Sequence, residues 1–81
     1  MRIRLLFFAL YRDFAGRDQL DLELEAGASA ADAVAAVRAL GGGLARLPDR
    51  PVVAVNREYA LLDSRLTDGD ELALLPPVAG G

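Results

Sequence analysis

The sequence contains no cysteine, no histidine and no lysine among its 81 residues. Without cysteine, a disulfide, a thiolate nucleophile and a thiolate metal ligand are all excluded. Without histidine, the chain lacks the commonest metal ligand and the usual acid or base near neutral pH. An enzyme built on this chain alone would have only carboxylates, tyrosine, serine, threonine and arginine for its chemistry. Independent catalysis is therefore the function class that the composition favours least.

The basic residues are nine arginines, scattered from Arg2 to Arg65. No side-chain amine can therefore receive an acyl group, and only the α-amine could do so. The net charge of −3 argues against nucleic acid as a partner, because nucleic-acid-binding domains normally carry a basic patch or stripe.

Long hydrophobic runs are also missing. The apolar stretch near the start is short, and Tyr11, Arg12 and Asp13 follow it without the small-residue pattern of a signal-peptide cleavage site. No stretch approaches the ~20 apolar residues that a membrane span needs. We therefore expect one small cytoplasmic domain that has neither a membrane nor nucleic acid as a partner.

Hydrophobic periodicity predicts an α+β domain. Residues 2–11, 19–25, 52–56, 59–62 and 71–75 read as strands because they alternate or are rich in β-forming residues. Residues 12–18 could hold one helical turn that ends at Gly16. The main helix is predicted at residues 30–40, with Ser29 as N-cap, Asp32 completing a capping box and three glycines at its end.

Alternation divides each strand into two faces. We expect the core to contain one apolar ladder from each of the first two strands and the stripe of the helix, namely Ile3/Leu5/Phe7, Leu20/Leu22/Leu24 and Ala33/Val34/Val37/Leu40. Asp21, Glu23 and Glu25 read as a solvated strand face, and Asp68-Gly69-Asp70 reads as a turn rather than a cation site.

The opposite face of the first strand begins charged and becomes apolar. If the first and last strands are parallel neighbours, Leu6, Phe8 and Leu75 form an apolar patch on the open face of the sheet, and Tyr59 extends it. Exposed apolar patches usually mark interfaces, so these residues are the predicted partner-binding surface. The alternative is that the chain's own loops, around residues 12–18 or 44–51, cover this face.

The end of the sequence is the predicted chemical site. Pro76 and Pro77 cannot extend a strand ladder, so the domain is expected to span residues 1–75 and a tail residues 76–81. Gly80 and Gly81 place no side chain beside the terminal carboxylate, which could therefore enter a narrow channel. Two plainer explanations stay open, a frayed terminus and chance.

Several stretches resemble the small subunit of molybdopterin synthase, a family of sulfur carriers with the ubiquitin-like β-grasp fold. These stretches are Phe7-Phe8-Ala9, Ala54-Val55-Asn56, the segment at residues 66–71 and the end, Pro76-Pro77-Val78-Ala79-Gly80-Gly81.

The resemblance implies a mechanism. A partner adenylyltransferase similar to ubiquitin-activating enzymes uses ATP and magnesium to adenylate Gly81, and a sulfur donor converts it into a thiocarboxylate. Gly80 provides clearance, and Pro76, Pro77, Val78 and Ala79 join the patch in contacting the large synthase subunit. That subunit holds most of the active site of a heterotetramer, in which sulfur passes to a cyclic pterin precursor of the molybdenum cofactor. This chain itself is then expected to bind no cofactor and no metal.

Other functions fit the same tail. The chain could carry sulfur for thiamine synthesis or tRNA thiolation, although the paired prolines and the chain length weigh against the thiamine pathway. It could also be a ubiquitin-like covalent protein modifier, or a ubiquitin-like interaction domain whose tail is inert.

Overall fold

The computed structural model describes residues 1–77. The strands of its sheet are β1 (Arg2–Phe7), β2 (Gln19–Glu23), β3 (Val52–Val55), β4 (Glu58–Ala60) and β5 (Glu71–Leu75). The helices are α1 (Ala9–Ala15) and α2 (Ala30–Arg38), and a short 3-10 helix covers Gly42–Arg46. No helix in these residues is long and apolar enough to cross a membrane.

The strand order across the sheet is β2-β1-β5-β3-β4. β1 lies parallel to β5, and the other neighbouring strands are antiparallel. This mixed sheet, with α2 across one face, is the ubiquitin-like β-grasp that the family resemblance implies. The parallel pairing of the first and last strands is confirmed.

The core lies between α2 and one face of the sheet. The odd-numbered positions of β1, the apolar stripe of α2 and Leu72 and Leu74 of β5 are all nearly fully buried. The ladder of β2 is only partly buried and packs against the edge of this core. Every element contributes an apolar surface to the same cluster, which is how a domain this small hides enough of its surface to fold.

The first strand is shorter than the alternation predicts. Ala9 takes a positive φ of 48° and begins α1, so the chain leaves the sheet after Phe7. Tyr11 is still buried, at 4% exposure, but it reaches the core from a helix. Gly16 ends that helix with φ 72°, which confirms the predicted end and shows that the helix begins earlier than expected.

Helix α2 begins as predicted. The Ser29 hydroxyl accepts a hydrogen bond from the Asp32 amide at 3.1 Å, and the Asp32 carboxylate accepts one from the Ser29 amide at 2.9 Å. The prediction of Leu40 as a core residue is wrong. Because the helix ends at Arg38, Leu40 falls beyond its regular turns and is 58% exposed.

The segment around residues 67–70 is a turn, as predicted. Asp70 accepts a hydrogen bond from the Thr67 amide at 2.8 Å, and Asp68 accepts one from the Arg2 amide at 2.7 Å. The Gly69 amide donates to the Arg2 carbonyl at 2.8 Å. Asp68 and Gly69 thus join this turn to the start of β1, and the Asp70 carboxylate closes the turn on itself.

The predicted loop at residues 44–51 is not wholly irregular, because the 3-10 helix at Gly42–Arg46 includes its first residues. At Gly43 an added Cβ atom would lie 1.8 Å from the carbonyl oxygen of Phe14. Only glycine therefore lets this segment pack against α1, on the side of the domain away from the open sheet face.

Candidate functional site

The face of the sheet opposite α2 contains a continuous row of residues from all five strands. The strand register places Leu6 between Gln19 and Ala73, and Ala54 between Ala73 and Tyr59. Because side chains alternate along a strand, residues paired across strands point to the same face. This row therefore forms the middle of the open face.

A cleft of about 450 Å³ lies on this face. We call it the open-face cleft, and its lining residues are Leu6, Phe8, Ala54, Arg57, Tyr59, Glu71, Ala73 and Leu75. The structure thus brings together four residues that the sequence predicts as a partner-binding patch, namely Leu6, Phe8, Tyr59 and Leu75. Phe8 is 45% exposed and Tyr59 is 82% exposed, so no loop within residues 1–77 covers the cleft.

Phe8 owes its position to the junction between β1 and α1. Its backbone is extended, with φ −127° and ψ 150°, and it is the N-cap of α1. The Phe8 carbonyl accepts hydrogen bonds from the amides of Tyr11 and Arg12 at 2.9 and 3.3 Å. The end of the strand and the start of the helix together hold the Phe8 ring beside Leu6. Leu10, which the alternation places on this face, instead lies on α1 and is 52% exposed.

The floor of the cleft is made of small residues. Ala54 and Ala73 are direct partners across β3 and β5 and are at most 9% exposed. Their short side chains leave a hollow between the larger residues of β1 and β4. Alternation in the last strand predicts Ala73 on this face. Ala54 is not assigned to this face from the sequence, although Ala54 alternates with the buried Val53.

The open face becomes charged toward the start of β1. Arg2 and Glu23, like Arg4 and Asp21, approach to 3.2 Å across β1 and β2. Exposed ion pairs of this kind contribute little to stability, about 0 to 1 kcal/mol. Their main effect is to divide the face into a charged half and an apolar half. Glu25 is exposed, as predicted.

Strand β5 runs from the charged half toward the apolar half. It ends at Leu75, which lines the cleft. Pro76 is half-buried and Pro77 is exposed. The other predicted tail residues, Val78, Ala79, Gly80 and Gly81, lie outside the described residues. The described chain therefore leaves the sheet directly beside the open-face cleft.

Apart from the Tyr11 phenol, residues 1–77 contain no buried charged or polar residue, and they contain no group of three acidic side chains placed to hold a metal ion. Burial raises the pKa of the Tyr11 phenol, but Tyr11 belongs to the core. A larger hollow of about 730 Å³ includes Arg50, Asp63 and Arg65. It is wide open and does not include the end of β5.

Comparison with known proteins identifies the family. The model of the ThiS family matches residues 5–81, nearly the whole chain. The chain belongs to the ThiS family. Two relatives of similar length are the molybdopterin synthase sulfur carrier subunits of Chlamydomonas reinhardtii and Escherichia coli (strain K12), which are 37% and 38% identical to it. The alignments cover 100% and 98% of this chain and 100% and 99% of those relatives.

Some similar archaeal proteins are named as modifiers rather than as sulfur carriers. Small archaeal modifier protein 3 of Haloferax volcanii is 34% identical, and the alignment covers both chains completely. The crystal structure of SAMP1 from the same organism superposes with a TM-score of 0.85 at 31% identity over 100% of both chains. These matches and the topology place the chain in the ubiquitin-like sulfur carrier family.

The fold likeness extends to a chain solved with a partner. In the protein–protein complex of subunits 1 and 2 of the molybdopterin-converting factor from Helicobacter pylori, the similar chain gives a TM-score of 0.71 over 100% of both chains. At 24% identity, this match concerns the fold alone.

Proposed function

We propose that this chain is the sulfur carrier subunit of a molybdopterin synthase. One observation supports this function best: an exposed apolar cleft lies where β5 leaves the sheet toward a diglycine end. A partner that binds the cleft would hold the residues that follow Leu75 in the chain at its own surface. The names of the bacterial and algal relatives support molybdenum cofactor synthesis as the pathway.

The reacting group in this proposal is the carboxylate of Gly81. A carboxylate is a poor electrophile, so a partner adenylyltransferase first joins it to AMP, using ATP with magnesium and releasing pyrophosphate. A donor that supplies sulfur at the oxidation level of sulfide then attacks the acyl carbon, the bond to the AMP phosphate breaks, AMP leaves, and a thiocarboxylate remains. The sulfur is a softer nucleophile than oxygen and can attack the cyclic pterin precursor.

The open-face cleft provides the docking surface for the large synthase subunit. Phe8 and Tyr59 offer aromatic anchors, which commonly carry much of the binding energy at interfaces. Leu6 and Leu75 supply apolar area next to them. Pro76, Pro77, Val78 and Ala79 join the contact with the large subunit, and Gly80 provides clearance beside Gly81. Acid, base and phosphate-binding groups belong to the large subunit in this scheme.

Extending the chain past Gly81 tests the role of the terminus. Adding one phenylalanine after Gly81 should abolish product formation in a reaction that contains the large subunit, the adenylyltransferase, ATP with magnesium, a sulfur donor and the pterin precursor. The thermal unfolding midpoint should not change, because the addition lies outside the core. Trimming the added residue with a carboxypeptidase should restore activity. Undiminished activity of the extended chain would refute the proposal.

A covalent protein modifier is the second candidate, favoured by the archaeal relative that is named a modifier. It would use the same activated Gly81 but transfer it to lysines of other proteins. Immunoblots of host extract against this chain separate the two functions. A sulfur carrier gives one band at the mass of the chain, whereas a modifier gives a ladder of conjugates.

The recipient pathway is tested by binding. The chain should bind the large subunit of molybdopterin synthase from its own host. A preference for a thiazole synthase would instead indicate a carrier for thiamine synthesis, and binding to a tRNA-thiolating enzyme would indicate that pathway.

A further inference from the structure

The turn between β3 and β4 has an unusual second residue. Val55 pairs directly with Glu58, so Asn56 and Arg57 form a two-residue hairpin turn. Both have positive φ, at 50° and 73°. Turns of this kind strongly prefer asparagine followed by glycine, because a side chain is strained at positive φ. Arginine therefore occupies the position where glycine would fit best.

Asn56 is accounted for by its contacts. Its amide nitrogen Nδ2 donates to Asp70 at 2.9 Å, and its Oδ1 accepts a hydrogen bond from the Glu71 amide at 3.0 Å. Its backbone amide donates to the Glu71 carbonyl at 2.9 Å. These bonds join the hairpin to the start of β5, and asparagine tolerates positive φ better than most residues.

Arg57 has no comparable structural role. Among residues 1–77, no hydrogen bond or ion pair engages its guanidinium. Arg2 and Arg4 of β1 lie on the same face but each has an ion-pair partner, Glu23 for Arg2 and Asp21 for Arg4. Arg57 nonetheless lines the open-face cleft, together with Phe8, Tyr59 and Leu75. A strained backbone that holds a cation beside an apolar docking surface suggests a functional reason for the strain.

We propose that Arg57 is a specificity-determining residue, which binds a carboxylate on the partner protein that docks on the open-face cleft. This inference rests on the proposed function and adds the chemistry of the partner's surface. A guanidinium binds a carboxylate through two parallel hydrogen bonds, and such pairs are directional. Docking excludes water from the cleft and strengthens the pair.

The position of the Arg57 charge would fix how the partner is oriented on the cleft more than it would raise the overall attraction between the two proteins. The chain has a net charge of −3, so long-range electrostatics favour partners with a basic surface. The acids of β2 are paired with Arg2 and Arg4, and Glu71 lines the same cleft as Arg57. A carboxylate on such a partner would be repelled by Glu71 and attracted by Arg57, so its place within the cleft would be fixed. Complementary charges at an interface thereby select the right partner and fix its orientation.

Three variants test the inference against the large subunit of molybdopterin synthase from the same host, by titration calorimetry at two salt concentrations. Arg57→Gly should raise the thermal unfolding midpoint and yet weaken binding about tenfold. Arg57→Glu should weaken binding about a hundredfold, less so at high salt. Arg50→Glu is the matched control, since it makes the same charge change at an exposed residue outside the cleft, and should bind about as well as the wild type.

The outcomes separate the inference from the proposed function. If the wild type binds and both Arg57 variants bind equally well, Arg57 does not recognise the partner and the inference is overturned. The same holds if Arg50→Glu weakens binding as much as Arg57→Glu, or if Arg57→Gly lowers the unfolding midpoint. If the wild type fails to bind the large subunit, the proposed function fails and the inference fails with it.

Discussion

At the scale of single residues, Tyr11 shows how the core constrains an ionisable group. Its side chain is nearly fully buried beside Phe14, with ring centroids 6.2 Å apart. Burial disfavours the charged phenolate and so raises the pKa of Tyr11 above the ordinary value of about 10. The folded state therefore holds the proton of Tyr11 more tightly than the unfolded state does.

This difference predicts how stability depends on alkaline pH. The contribution of Tyr11 is fully present below the unfolded pKa and is lost as the pH rises through the folded pKa. The free energy of unfolding should therefore fall above about pH 10, and Tyr11→Phe should reduce that fall. Urea titrations from pH 8 to 11 measure the free energy of unfolding at each pH. An equal slope in Tyr11→Phe and the wild type would contradict the account.

Single residues also limit what periodicity can predict. Leu40 continues the apolar stripe of α2 but lies beyond the end of the helix, so it is exposed. Tyr11 continues the alternation of β1 but reaches the core from α1. In both cases the pattern is present, yet the element has already ended. A residue at an element boundary can thus be assigned to the wrong face or the wrong element.

At the scale of elements, the sequence predicts most of the fold because local signals agree. The capping box begins α2 where expected, and β5 has the predicted bounds. The cleft is harder to predict because its residues come from three separate segments of the chain, at residues 6–8, 54–59 and 71–75. Leu6, Phe8 and Leu75 follow from alternation and parallel pairing. Ala54 and Arg57 reach the cleft only through the pairing of β3 with β5 and β4, which local patterns do not specify.

The open face of the sheet should tolerate a charge at Phe8. Phe8→Arg should weaken binding to the large synthase subunit at least about tenfold, because an aromatic anchor is lost from the docking surface. The fold should survive, because the ring is 45% exposed. Circular dichroism and thermal unfolding measure the fold, and calorimetry measures binding. Phe7→Arg provides the contrast, since Phe7 is buried and its replacement should prevent folding. Unfolding of Phe8→Arg would place Phe8 in the core.

At the scale of the whole molecule, the fold separates stability from chemistry. The core lies on the α2 side of the sheet, and the open-face cleft lies on the other side, where β5 leaves toward the tail. In the proposed function the reacting group belongs to the main chain and the reaction pocket belongs to a partner. This division explains how a chain without cysteine, histidine or lysine can take part in sulfur chemistry.

The mass of the chain after activation tests this proposal most directly. The purified chain is incubated with the adenylyltransferase, ATP with magnesium and a sulfur donor, and then analysed by intact-mass and C-terminal peptide mass spectrometry. Replacement of one carboxylate oxygen by sulfur should add about 16 mass units, located at Gly81. An unchanged mass, or a gain located at any other residue, would contradict the account.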